Sequence, residues 1–366
     1  INTAMESLWI SQSKPLKYIV LSDTIFRESL QPFIEWKTRK GFEVLELYRG
    51  KDGLGHSAEE IRNFLKVLYD SATEDDPPPS FLLIAGDTEH IPPSRIEGHA
   101  TDLYYAEYDG DGDYLPELFY GRFSAGDTAD MKVLIEKTLQ QEQYLYTDPQ
   151  FLDEVILIAG VDGRYAEEWG NGQLNYMNRY YFNQGHGNSV DKFSYPASGK
   201  QSTEILNEIS KGASLVNYTG HGYPDRWDNP RFSISDIESL ENRDRYPLMI
   251  GNGCSTDTFE DPECFAEALV RADGKGALAY IGCSIDSYWD VDYYWSVGLG
   301  PVSAHPVFPE TGPGAWDLAF HENQEPVGDW NISLGQMVYA GNMAAMAGNI
   351  NLAKYYWEIY HVLGDP

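Results

Sequence analysis

Tyr18-Ile19-Val20-Leu21 is a short apolar run closed by Ser22-Asp23, the pattern of a buried strand. The period then changes. Within residues 31–40 the apolar positions are Phe33, Ile34 and Trp36, and Gly41 follows as a C-cap signal, which predicts a helix. Phe42 to Tyr48 alternates apolar and acidic residues, as a half-exposed edge strand does. Ala58 to Tyr69 returns to helical spacing, with Ser57 as N-cap and acids in the first turn. Asp76-Pro77-Pro78-Pro79 breaks the chain, and Phe81 to Ala85 reads as a fully buried strand. This βαβαβ rhythm predicts a parallel sheet with helices on both faces.

Residues 127–146 read as one long helix, with Asp127 as N-cap. Tyr146-Thr147-Asp148-Pro149 then marks a boundary, dividing the chain into an α/β unit 1–148 and a second α/β unit 149–366. In the second unit the rhythm repeats. Strands are expected at 154–159, 214–218, 247–251 and 277–282, with helices near 202–211 and 263–272. Leu82-Leu83-Ile84-Ala85-Gly86-Asp87 is echoed by Leu157-Ile158-Ala159-Gly160-Val161-Asp162. The echo suggests two similar sheets, each with an acid beyond a strand end. From about residue 285 the chain is rich in Trp, Tyr, Gly and Pro, a composition that suggests pocket-building loops.

Composition narrows the function. The 366 residues hold 57 Asp+Glu against 26 Lys+Arg, a formal net charge of −31. That field repels phosphate and argues against a nucleic-acid partner, while favouring cations or basic peptides. No apolar run is long enough to predict a membrane span. The three cysteines, Cys254, Cys264 and Cys283, are too few and odd in number for a disulfide scaffold. The chain starts at Ile1 rather than Met, which suggests a processed or excised chain.

Ligands of open parallel sheets bind beyond the carboxyl ends of the strands. Strand 214–218 leads into Thr219-Gly220-His221-Gly222, strand 247–251 into Asn252-Gly253-Cys254, strand 277–282 into Cys283-Ser284, and strand 154–159 towards Asp162. A thiol, an imidazole and a carboxylate are thus predicted at one edge. A thiol nucleophile needs a base, and the carbonyl it attacks needs N–H donors. His221 suits the base, Asp162 its orientation, and the Gly222 and Cys254 amides the oxyanion. Taken singly, each residue has a blander reading: a capping His, a small buried Cys, a turn Asp. Cys283 also follows an apolar strand and rivals Cys254, whereas Cys264 opens a helix with a core-like face.

Several long motifs resemble the gingipains, the C25 cysteine peptidases. They include Asn217-Tyr218-Thr219-Gly220-His221-Gly222, Gly251-Asn252-Gly253-Cys254, Pro262 to Leu269, and Tyr280 to Gly298. Ala340 to Ala345 and Tyr355 to Asp365 carry it too. The resemblance is dense in the second half, sparse in the first, and most like the family's lysine-specific branch. It implies a caspase-like α/β fold of two adjacent α/β/α subdomains with mostly parallel sheets. It implies catalysis by Cys254 and His221 with Asp162 orienting the imidazole, and leaves Cys264 and Cys283 non-catalytic. In the P1 pocket it implies Trp289 as a wall and Asp292 as partner of a lysine ammonium, with Thr219 nearby. Asp290 stands where the family has Gly and could compete. The position matching the specificity acid of arginine-specific members is the neutral Gln173, which favours Lys. The family also implies a bacterial setting, secreted or at the cell surface, and further C-terminal domains.

The loop Asp109-Gly110-Asp111-Gly112-Asp113-Tyr114-Leu115-Pro116-Glu117 packs several oxygens into tight turns, which suits Ca²⁺ but lacks EF-hand spacing. By resemblance the calcium ligands are Asp87, Asp111, Asp113, the Leu115 carbonyl and Glu117, with a second site at the Phe259 carbonyl and Glu267. The histidines show no zinc spacing. Two rival readings stand beside the peptidase. One is a carbohydrate-active hydrolase with paired carboxylates, suggested by the acidity and the 26 Tyr and 9 Trp. The other is a calcium-stabilised binding module with an inactive peptidase centre.

Overall fold

A computed structural model gives the fold and describes residues 14–96, 98–110, 112–320 and 332–366. Its centre is one ten-stranded sheet. The strands in chain order are β1 (Lys17–Ser22), β2 (Glu43–Tyr48), β3 (Pro79–Ala85), β4 (Phe119–Phe123), β5 (Glu154–Ala159), β6 (Ser189–Phe193), β7 (Leu215–Thr219), β8 (Leu248–Asn252), β9 (Ala279–Cys283) and β10 (Tyr360–Leu363). Their order across the sheet is β2-β1-β3-β4-β10-β9-β8-β7-β5-β6. The first half is parallel throughout, as is the run β9-β8-β7-β5-β6, while β10 runs antiparallel to β9.

The two expected sheets are therefore joined edge to edge. β10 closes the gap: it pairs with β9 over four residues and touches β4 at Leu363–Arg122, where the Gly364 amide donates to the Arg122 carbonyl at 2.8 Å. Arg122 is itself buried, and its guanidinium makes a two-pronged pair with Asp102 at 2.7 and 2.6 Å.

Strand alternation sorts the core into layers. Tyr18 and Val20 of β1 face one side, with Leu83, Ile156, Val216 and Met249. Helices Arg27–Arg39, Thr128–Glu142, Ser202–Lys211 and Phe265–Arg271 cover that side through Phe33, Leu134, Ile205 and Leu269. Ile19 and Leu21 face the other side, under Ile61 and Leu65 of helix Ala58–Asp70. In the second half that same side carries Leu157, Ile250 and Ile281 beneath Leu174, Trp295 and Tyr356.

The predicted caps hold. Ser57 and Glu60 form a capping box, and the Asp127 carboxylate accepts from the Ala129 and Asp130 amides. The long helix is shorter than expected, Thr128–Glu142. The aromatic-rich segment after 285 is only partly loops: residues 298–314 are irregular apart from one short 3-10 turn, while the described remainder is largely helical. It contains helices Trp289–Val297, Leu334–Gly348 and Ala353–Ile359.

Candidate active site

The residues after β5, β7, β8 and β9 meet at the carboxyl edge of the second half. β7 and β8 pair in register from Leu215–Leu248 to Thr219–Asn252, so the next residues of both strands emerge side by side. Small side chains let them touch. A Cβ on Gly253 would lie 2.5 Å from the Gly220 carbonyl oxygen, and one on Gly222 would lie 2.6 Å from that of Cys254. Only backbone fits between the His221 and Cys254 loops.

His221 Nε2 lies 2.8 Å from Asp162 Oδ2. The other Asp162 oxygen accepts from the Arg164 and Tyr165 amides at 2.7 and 3.0 Å. Burial alone would raise the Asp162 pKa, but the bonds from His221 and those two amides hold it below the usual carboxylate range. The carboxylate is therefore the acceptor, Nε2 carries the proton, and Nδ1 is the imidazole nitrogen left for exchange. The His221 carbonyl is fixed by the Tyr218 hydroxyl at 2.7 Å and the Asp228 amide at 3.0 Å.

Cys254 is partly buried, and its thiol donates to the Ser287 carbonyl at 3.6 Å. Burial pushes its pKa up to about 11, helped by Asp292 and Asp286. The resting sulfur is thus a thiol. The segment beside it also walls the imidazole, because the Trp289 ring stands edge-on to His221 at 5.6 Å. Thiol and imidazole share the Ser287–Trp289 wall.

Gly222 begins a two-stranded hairpin with Arg226–Trp227. The His221–Asp228 bond is one rung of that ladder, so alternation makes Gly222 the non-bonded position and turns its N–H away from the partner strand. That amide lies close to Gly253, beside the Cys254 loop.

Trp289 and Asp292 sit three residues apart on helix Trp289–Val297, hence on one face. Asp292 is buried rather than a solvated turn acid. Its oxygens accept from the hydroxyls of Ser287 at 2.8 Å, Tyr356 at 3.0 Å and Tyr360 at 2.7 Å. Burial raises its pKa to about 6 against the pull of those donors. Asp290, on the same helix, stays half-exposed. Thr219 is buried and accepts from Gln173 Nε2 at 3.0 Å, while Gln173 Oε1 accepts from Asn252 at 3.3 Å. Gln173, the neutral residue expected at the position of the arginine-branch acid, is therefore a buried amide spent on Thr219. Ser287, Asn252, Tyr356 and Tyr360 were not expected site residues. The sequence signal available was polar groups inside otherwise apolar runs, as in Ile250-Gly251-Asn252 and Ile359-Tyr360.

The acidic loop gathers a slightly different set. Carboxylate oxygens of Asp109, Asp113 and Glu117 all lie within 4.8 Å of one another. Asp111 lies outside the described residues. Leu115 is in the same turn, its amide donating to Asp113 Oδ1 at 2.9 Å. Asp87 is not brought to this cluster. It follows β3, caps Glu89 at 3.0 Å and lies 3.8 Å from Arg271. Glu267 is buried with its carboxylate already engaged by Ser124, Arg271 and the Cys264 amide. Phe259 packs against the His361 ring at 5.0 Å. Cys264 and Cys283 are both buried.

The model for peptidase family C25 matches residues 11–366. The chain belongs to peptidase family C25. With it comes a family of cysteine endopeptidases. Lys-gingipain of Porphyromonas gingivalis strain ATCC 33277 is 37% identical over 361 residues, covering 96% of this chain and 20% of that protein. The chain thus spans about a fifth of that relative's length. Gingipain R2 of strain W83 is 27% identical over 284 residues, covering 75% of this chain and 37% of that one. A solved structure described as "Structure of Protease" superposes with TM-score 0.89 at 35% identity, covering 96% of this chain and 78% of that chain. The Arg-specific cysteine proteinase gingipain R superposes with TM-score 0.78 at 24% identity over 97% of this chain and 78% of that one, a likeness of fold. The C25 membership leaves the paired-carboxylate reading without support. Among the described residues no helix is long and apolar enough to cross a membrane.

Proposed function

We propose that this C25 member cleaves polypeptides after lysine by thiol attack, with Cys254, His221 and Asp162 as the catalytic group. The observation that carries the reading is the Asp162–His221 bond at 2.8 Å, on a loop packed directly against the Cys254 loop. His221 Nδ1 takes the Cys254 proton as the sulfur adds to the scissile carbonyl carbon. The N–H groups of Gly222 and Cys254 receive the oxyanion. His221 then hands the proton to the leaving amine, and the C–N bond breaks to give an acyl-thioester. Water, losing a proton to His221, attacks that ester and releases the new carboxylate with the thiol restored. Because burial keeps the resting sulfur protonated, deprotonation accompanies attack and His221 works as a general base.

Lysine at P1 fits a pocket with Trp289 along the methylene stem and Asp292 at its end. A buried carboxylate with three hydroxyl donors and, among the described residues, no paired cation suits an incoming ammonium. Thr219, held by Gln173, adds an oxygen near that end. The chain's −31 charge favours basic peptides. Cys254→Ala tests the reading: it should abolish turnover of a Lys-P1 peptide, and surviving turnover would sink the assignment. A P1 library should favour Lys over Arg. Action outside the bacterial cell belongs to the same proposal.

Calcium is the second part of the reading. Asp109, Asp113 and Glu117 supply hard oxygens close enough for one ion, with Asp111 and the Leu115 carbonyl as further candidates. Asp87 has an Arg271 partner instead, and the Glu267 carboxylate is already engaged by Ser124, Arg271 and the Cys264 amide, which makes the second site the weaker fit. An ion bound only by the folded chain stabilises it by about 2.7 kcal/mol at a hundred times Kd. Chelation should lower the melting temperature, and restoring Ca²⁺ should reverse this; identical melts would remove the acidic-loop site.

A further inference from the structure

Cys283 has no part in the chemistry so far, yet it touches the nucleophile's loop. We propose that Cys283 is a positioning residue that aims the Cys254 N–H at the oxyanion by holding the Gly253 carbonyl from behind. This rests on Cys254 being the nucleophile.

The Gly253 carbonyl and the Cys254 N–H belong to one peptide unit. In a planar trans peptide they point in opposite directions, so fixing one fixes the other. The Gly253 oxygen accepts from the Cys283 thiol at 3.1 Å and from the Thr256 hydroxyl at 3.4 Å. Cys283 is fully buried at the end of β9, and burial keeps its thiol protonated, hence a donor. The Cys254 N–H consequently points away from Cys283.

The flanking backbone reinforces this hold. The Cys283 carbonyl accepts from the Asp257 amide at 3.1 Å, and the Ile285 carbonyl accepts from the Ser255 amide at 2.9 Å. Ser255, the donor of one of these bonds, adopts φ of 58°, in the left-handed region that a non-glycine residue enters at a cost. β9 and the residues after it thus grip the loop 253–257 at three points. On the other side, the space a Gly253 Cβ would need is taken by the Gly220 carbonyl. The peptide is held from both faces, and the Cys283 thiol supplies the contact that sets its tilt. A thiol is a weak donor, so a serine hydroxyl can replace it and a methyl group cannot.

The test compares Cys283→Ala and Cys283→Ser with the wild type. A misaimed oxyanion donor should lower kcat for a Lys-P1 amide by about tenfold, less than outright loss of a donor, with KM within about twofold. Binding of a Lys-P1 peptide aldehyde should weaken by about the same factor. There the thiol adds across the C=O, a C–S bond forms, and the proton passes to the oxygen that occupies the oxyanion site. Alkylation by iodoacetamide displaces iodide at a saturated carbon and creates no oxyanion, so its rate should stay at the wild-type value. C283S should restore both kcat and aldehyde affinity. A C283A enzyme with wild-type kcat overturns the proposal, as does one whose alkylation falls in step with hydrolysis. If C283A does not fold, Thr256→Val removes the other donor to the same carbonyl. It should show the same split, and a normal T256V would overturn the proposal. Failure of the underlying reading looks different: wild-type hydrolysis would survive iodoacetamide.

Discussion

Two carboxylates in this site have been moved in opposite directions, and their roles follow. Asp162 is held ionised by an imidazole and two amides. Asp162→Asn keeps an oxygen for those amides but loses the charge that fixes the His221 tautomer. It should lower kcat by about 10²-fold or more while leaving the melting temperature near wild type. An unchanged kcat would show that His221 needs no orientation. Asp292 is pushed the other way, to about 6 by burial. The folded chain then holds that proton more tightly than the unfolded chain, whose Asp titrates near ~3.9. The resulting stability penalty is absent below that value, grows between the two, and is complete above about 6. Asp292→Asn cannot ionise, so its melting temperature should gain on the wild type between pH 4 and pH 8. A pH-independent difference would show that Asp292 is not the titrating group. The same substitution should cost about a hundredfold in kcat/KM for a Lys substrate, and wild-type KM for Lys should rise below pH 6. On the proposed reading, one residue weakens the fold in order to recognise a cation.

At the scale of elements, the site depends on two loops pressed together by the β7–β8 register. Gly222→Ala places a methyl group 2.6 Å from both the Cys254 carbonyl oxygen and Thr256 Cγ2. Backbone has to move, and displacing the nucleophile by about 1 Å should cost about 10²-fold in kcat. Wild-type turnover in G222A would mean the loops are looser than drawn. The sequence made these strands easy to find, because β1, β3, β5, β7, β8 and β9 are buried apolar runs. It hid β4, β6 and β10. Phe-Tyr-Gly-Arg-Phe of β4 contains a buried arginine whose partner, Asp102, is remote from the strand. Ser-Val-Asp-Lys-Phe of β6 is an exposed edge with little apolar pattern. Tyr-His-Val-Leu of β10 follows helix Ala353–Ile359 directly, with no breaker between. Helix Trp289–Val297 was equally hidden, since it is buried on most sides and shows no amphipathic stripe. The placement of His221, Cys254 and Asp162 at one sheet edge was legible because each follows a legible strand. The hydroxyls around Asp292 were not, because Tyr356 and Tyr360 come from elements whose place depends on packing.

At the scale of the molecule, β10 occupies the middle of the sheet although it is the last of the sheet's ten strands in chain order. Without it, β4 and β9 would each present an open edge, and Asp292 would lose the hydroxyl of Tyr360. Synthesis runs from the other end, so the ribosome delivers this keystone after the sheet's other nine strands. A cell making such an enzyme gains a built-in delay: the cutting edge cannot be assembled while the polypeptide that bears it is still short. Chains stalled before Tyr360 should therefore fail to react with a Lys-directed active-site label that marks the finished protein, and labelling of such stalled chains would contradict this. On the proposed function, the order of strands protects the maker against its own hydrolase.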